Sequence, residues 1–130
     1  MRPEEWRYPR EWLRLAERDL SRVSRCLRDH DTGAAGFFLQ QALEKFLKAF
    51  LLARGWKLRR IHDLEALLDD ALAHDPSLER FRPLCQEVTG YYLAERYPLP
   101  GVSGPDEAQV QSALAAAEPL VRRLRAAIET

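Results

Sequence analysis

Long apolar runs are missing from this 130-residue chain. No stretch approaches the ~20 apolar residues that a membrane-spanning helix needs, so none is expected. The opening Met-Arg-Pro-Glu-Glu-Trp lacks the apolar core of a secretory signal. The expected location is the cytoplasm. Cysteine is scarce too: Cys26 and Cys85 stand far apart and neither has a CxxC neighbour. Two free, largely buried thiols are expected. His30, His62 and His74 show no HxxxH-type spacing, so no metal site is expected. There is no P-loop, GxGxxG, HExxH or GxSxG, and no catalytic triad presents itself. No cofactor is called for. An excess of charge of one sign is also absent. Twenty basic residues face twenty acidic ones, so bulk charge alone does not argue for nucleic acid as a partner. Lysine occurs only at Lys45, Lys48 and Lys57, and the other basic residues are arginine. Strand-like alternation and internal repeats are missing as well.

What is present is helical periodicity, over a hydrophobic fraction of 46% that suits one globular domain covering residues 1–130. Leu13, Ala16, Leu20, Val23 and Leu27 recur at three- and four-residue steps, predicting a first helix over 9–29. Its wet face carries Arg7, Arg10, Arg14, Arg18, Arg25 and Arg28, with Arg22 at the edge. Asp31-Thr32-Gly33 predicts the break after it. A second helix over 34–54 is apolar around most of its circumference, the mark of a central helix, and should stop at Gly55 as its C′ residue. A short third helix is predicted over 63–74. Ser77 then reads as the N-cap of a fourth helix over 78–96, which Pro83 should bend or interrupt in its first turns. Pro98, Pro100, Gly101, Gly104 and Pro105 predict a loop. A fifth helix should begin near Asp106, with Asp106 and Gln109 as a capping box and a kink at Pro119. Short connections between long helices favour antiparallel neighbours, so the expected fold is all-α, an up-down bundle of four or five helices.

Four groups of residues invite a chemical reading. The first is the polar strip of the central helix: Gln40, Gln41, Glu44, Lys45 and Lys48. Read plainly, it is a solvated face with Glu44 and Lys48 as an i,i+4 pair worth only ~0.3–0.5 kcal/mol. Read against the burial of the helix, its amides and charges must be paired or face a cleft or interface. The second is Tyr92 and Arg96 near the end of the fourth helix, an i,i+4 pair of ring and guanidinium suited to a base and a phosphate. The plain alternative is an aromatic end packed into the core while Arg96 snorkels. The third is His62-Asp63 before the third helix, where His62 can cap the helix or contact a nearby polar group, with capping the expected role, and Asp63 suits the positive helix end. The fourth is the arginine face of the first helix. It can meet phosphates, but Glu11, Glu17 and Asp29 dilute it, and it reads foremost as a wet face.

Taken together, these segments resemble the HEPN family (higher eukaryotes and prokaryotes nucleotide-binding). The matching pieces are Ala16-Glu17-Arg18-Asp19-Leu20, Phe38 through Ala49, His62-Asp63-Leu64-Glu65-Ala66-Leu67-Leu68, and Tyr91-Tyr92 with Glu95-Arg96-Tyr97-Pro98. The resemblance implies a helical bundle that pairs as a symmetric homodimer around a cleft lined by helix 2 and the end of helix 4. Gln41, Glu44, Lys45, Lys48, Tyr92 and Arg96 would line that cleft and hold a nucleotide or RNA. Stand-alone prokaryotic members resemble one half of a toxin–antitoxin-like pair whose other half is a minimal nucleotidyltransferase. Other members are metal-independent ribonucleases that use an Arg followed a few residues later by a His. Arg96 matches that arginine, but Tyr97-Pro98-Leu99-Pro100-Gly101-Val102-Ser103 after it contains no histidine. His62 is the candidate substitute. The tyrosine-modification chemistry of some toxin–antitoxin members also depends on a histidine motif that is absent here. The expectation is a binding module without chemistry. The alternatives are a ribonuclease using Arg96 and His62, or a purely structural dimerisation domain.

Overall fold

The computed structural model describes residues 8–97, 100 and 103–129. Its elements are α1 (Pro9–Arg28), α2 (Thr32–Leu52), α3 (Leu64–Leu72), a 3-10 segment (Pro76–Phe81), α4 (Arg82–Arg96) and α5 (Glu107–Glu129). The fold is all-α, and no strand occurs among the described residues. Arg7, Pro98 and Gly101 lie outside them.

The central helix is the predicted one. α2 touches each of the four other helices, and its pairing with α1 is the most extensive. Leu39, Leu43, Phe46, Leu47 and Phe50 fill the middle of the core. Ala35, Ala42 and Ala49, seven residues apart, are fully buried, and their small side chains let neighbouring backbones come close. Gly36 does the same against α4: a Cβ there would lie 3.2 Å from the Tyr91 Cβ and from the Pro105 ring. That approach sets Tyr92 opposite the first turns of α2.

The helix ends follow local chemistry. α1 closes with the two bonds of a Schellman motif, Asp31 N–H to the Cys26 carbonyl (2.8 Å) and His30 N–H to that of Leu27 (3.1 Å). The residue in the left-handed region is His30, with φ 58°. The break therefore sits one residue before the predicted Asp31-Thr32-Gly33, and Asp31 instead caps α2 by accepting from Ala34 N–H. A non-glycine residue is sterically disfavoured at this φ. We expect His30→Gly to stabilise the fold by about 0.5–1 kcal/mol, net of glycine's greater unfolded-state entropy. The exposed His30–Glu107 pair removed by the change contributes little. Thermal unfolding followed by circular dichroism measures this, and an unchanged or lower Tm would contradict it. α2 ends by the same pair of bonds, Gly55 N–H to Leu52 and Trp56 N–H to Leu51, both 3.1 Å, with Gly55 at φ 85°.

The start of helix 4 differs from the sequence expectation. Ser77 is not an N-cap. Its N–H and hydroxyl both donate to Asp75 Oδ1 (3.2 and 2.7 Å), and Asp75 opens the 3-10 segment. Arg123 of α5 clamps the same carboxylate (2.7 and 3.1 Å), and the Ser77 hydrogen bond leads in holding the Asp75 carboxyl below its ordinary range. α4 proper begins at Arg82, so Pro83 falls in its first turn. There the missing N–H leaves no intrahelical bond unmade, and no bend is required. α5 opens with the reciprocal capping box, Gln109 N–H to Asp106 Oδ1 (2.7 Å) and Asp106 N–H to Gln109 Oε1 (2.9 Å). It runs unbroken through Pro119, at the loss of one bond to the Ala115 carbonyl.

Two arginines fasten the frame. Arg125 of α5 grips Glu17 of α1 with two 2.7 Å bonds. Arg82 reaches Glu65 and Asp69 of α3 (2.9 and 2.6 Å) as well as Glu79. Both cysteines are free: Cys85 is buried and Cys26 partly so. Burial pushes the Cys85 thiol up to about 12. Burial, then the nearby Asp31 and Asp29 carboxylates, raise Cys26 as well. A raised pKa means less thiolate at neutral pH and slower alkylation. In a thiol titration at pH 8 we expect Cys26 to react slowly and Cys85 only on unfolding. Equal rates for the two in the native protein would contradict this.

Candidate functional site

The polar strip of α2 divides into two halves with different partners. Lys45 turns toward α1 and forms a close ion pair with Asp19. Asp19 is 1% exposed and also accepts from Arg22 at 3.1 Å. In the other half, Gln40 and Glu44 meet the segment that leads into α3, and Gln41 and Lys48 bond to them in turn. Gln40, Glu44 and Lys48 are all buried, so this is no solvated face.

Glu44 is the hub. Its Oε1 accepts from Gln40 Nε2 (3.1 Å) and lies 3.0 Å from His62 Nδ1, and its Oε2 accepts from Lys48 Nζ (3.1 Å). An ionised carboxylate only accepts, so His62 Nδ1 carries the proton and Nε2 is left for other partners. Gln40 Nε2 also donates to the His62 carbonyl (2.9 Å), and Gln40 Oε1 accepts from Gln41 Nε2 (2.7 Å). His62 is thus held at its backbone and at its ring by α2. Lys48 Nζ sits 5.5 Å from the centroid of the Trp12 ring, a cation–π contact inside the bundle. His62 does not cap α3. Asp63 does so by accepting from Glu65 N–H (2.9 Å), and Thr89 Oγ1 of α4 accepts from Leu64 N–H (3.2 Å).

Around this hub lies an aromatic row. The Tyr92 ring of α4 is near-parallel to His62 (5.7 Å between centroids, 17°) and to Phe37 of α2 (5.8 Å, 18°). One turn beyond Tyr92, the Arg96 guanidinium carbon lies 5.9 Å from the same ring centroid. Arg96 is exposed, as are Leu93 on α4 and Tyr97 just past its end. Tyr91 faces inward. Its hydroxyl donates to Glu87, and burial, then that bond, hold its pKa above the ordinary phenol value.

Of the expected cleft residues, the structure brings together Gln41, Glu44, Lys48, Tyr92 and Arg96 and adds His62. Lys45 is set apart by Asp19. Of the three cleft cations, Arg96 is exposed, whereas Lys45 and Lys48 hold carboxylates within the protein. Sequence reasoning missed Phe37 and the pairing of His62 with Glu44. Phe37 had a signal: it stands seven residues before Glu44 and four before Gln41, on the same helical face. The His62–Glu44 pair spans a loop and had none. The arginine face of α1 is interleaved with partners, with Arg14 on Glu11, Arg22 on Asp19 and Arg25 on Ser21. Among the described residues, no cluster of three or more His, Cys, Asp and Glu side chains is placed to hold a metal. No described helix is long and apolar enough to cross a membrane.

The sequence matches the HEPN domain family over residues 9–127. The chain belongs to the HEPN family. The HEPN match spans nearly the whole bundle, including every residue of the hub and the aromatic row. Its fold is similar to the crystal structure of TT1696 from Thermus thermophilus. The TM-score is 0.80 at 29% identity, with 92% of this chain and 97% of that one covered. No curated protein matches the chain. HEPN membership supports a nucleotide-binding or ribonuclease-like helical module as the coarse description of the protein.

Proposed function

We propose that the α2–α4 face is a binding site for a nucleotide or a nucleic-acid strand and performs no chemistry of its own. The observation that carries this reading is Arg96, exposed and set one turn from a row of three near-parallel rings. A guanidinium meets a phosphate through a planar fork of donors, and aromatic faces take bases whatever their sequence. Gln41, Glu44, Lys45 and Lys48 serve this site from behind. Glu44 holds the His62 ring, Lys48 pairs with Glu44 beneath it, and Lys45 anchors α2 to α1. The large exposed side chains Leu93 and Tyr97 flank Arg96, which supports a homodimer that covers them and brings two such sites into one cleft. We extend the reading to a paired module in which a minimal nucleotidyltransferase is the second component, in the manner of a toxin–antitoxin pair. Calorimetry with a panel of nucleotides, short RNAs and the product of the adjacent gene tests it. A folded dimer that binds none of them would sink it.

One observation favours a second reading, a metal-independent ribonuclease. His62 reaches the site and is held by a buried carboxylate, with Nε2 available to exchange a proton, and Arg96 stands at the same tyrosine ring. RNA cleavage by the wild type that disappears in both Arg96→Ala and His62→Ala would establish it. Activity unchanged in either variant would mean contamination.

A further inference from the structure

The His62 ring is the exposed member of the hub. Its side chain is 56% accessible, while that of Glu44 beneath it is 5% accessible. The ring is fixed at two points from α2, by Glu44 at Nδ1 and by Gln40 at the carbonyl. Asp63 and Thr89 pin the backbone that follows. A histidine this exposed ordinarily samples several rotamers, and ordering it on contact with a ligand costs free energy. Here the ordering is already made, and the plane chosen lies within 17° of Tyr92. Simple packing does not need a buried carboxylate beneath an exposed ring. A flat ligand does need the ring held in plane.

We propose that His62 is a stacking platform for one unpaired nucleobase, and that Glu44 is the positioning residue that locks its plane, with the phosphate next to that base on Arg96. This rests on the binding reading above and narrows its ligand to single-stranded RNA or DNA. A paired base has its faces covered by its neighbours in the duplex, whereas an unpaired one has a face to offer. The platform is tolerant of base identity because every base has such a face. Glu44 acts only through His62, and the base does not touch it.

The test uses the full chain and a short single-stranded RNA carrying 2-aminopurine, whose fluorescence falls when the base stacks. Wild type is expected to bind and to quench. His62→Ala should abolish the quenching and weaken binding ~5–100-fold. His62→Phe keeps a ring but loses the bond to Glu44, so it should retain the quenching, since stacking needs only the π-face, and weaken binding about as much as Glu44→Gln does. Glu44→Gln should weaken binding in the wild-type background and have no effect in the His62→Phe background, where no imidazole remains to be positioned. A purely structural role for Glu44 would show equally in both. Quenching that survives in His62→Ala, or a Glu44→Gln effect that persists beside His62→Phe, overturns the proposal. If Glu44→Gln does not fold, the two His62 variants still decide the platform. Wild type that binds without quenching overturns this proposal alone. Wild type that binds no RNA also overturns this proposal, and if the calorimetric panel shows no binding either, the binding reading falls with it.

Discussion

Glu44→Ala is expected to cost about 3–5 kcal/mol of folding stability, the range for breaking a buried ion pair from one side. The truncation takes the carboxylate from Lys48, a residue only 4% exposed in the intact protein, and removes an acceptor from Gln40 and from His62. On the size scaling of small domains, this lowers Tm by roughly 10–20 °C. The comparison within the same protein is Arg122 and Glu118, also an i,i+4 pair, whose side chains are 71% and 70% exposed. Glu118→Ala should cost less than about 0.5 kcal/mol, because water screens that pair. The double variant Glu44→Met/Lys48→Met should recover most of the loss, since replacing both charges by apolar chains of similar volume leaves no buried charge unpaired. Urea unfolding of the four proteins reads these values. A Glu44→Ala cost no larger than that of Glu118→Ala would show that the hub is solvated.

The second large effect is on binding. Arg96→Ala should weaken the affinity for single-stranded nucleic acid ~10–100-fold, the scale of a charged hydrogen bond to phosphate. It should also lower the slope of log affinity against log salt by about 0.7 for each phosphate that is no longer neutralised. Stability should change little, because Arg96 is exposed at the last turn of α4. Tyr92→Ala should weaken binding as well, but with an unchanged salt slope, since a ring carries no counterion to release. Binding isotherms at several salt concentrations separate the two variants. Equal slopes for wild type and Arg96→Ala would place the phosphate elsewhere on the protein.

How far the sequence alone reaches is clear from particular residues. Helix identity was legible because apolar spacing in α1, α2 and α5 follows one period, and Asp106 with Gln109 announces the start of α5 from local chemistry. The start of α4 was not legible. Asp75, Pro76 and Ser77 are all good helix openers, and the choice of Asp75 is reinforced by Arg123, 48 positions away in the chain. The polar strip was visible as a strip, but its division was not. Adjacent residues on a helix point about 100° apart, so Glu44 and Lys45 face different neighbours. Which neighbours those are depends on Asp19 and His62, distant in sequence and brought close only by packing. The same limit hid the role of His62. As a residue before a helix it looks like a cap, and only the position of α2 reveals the carboxylate beneath it.

Backbone NMR shifts of the isotopically labelled protein, titrated with a short single-stranded RNA, test the central claim most directly. The amides that move are expected to cluster around Phe37, His62, Tyr92 and Arg96. Movement confined to the arginine face of α1, at Arg10, Arg14, Arg18 and Arg25, or no movement in a folded protein, would contradict it.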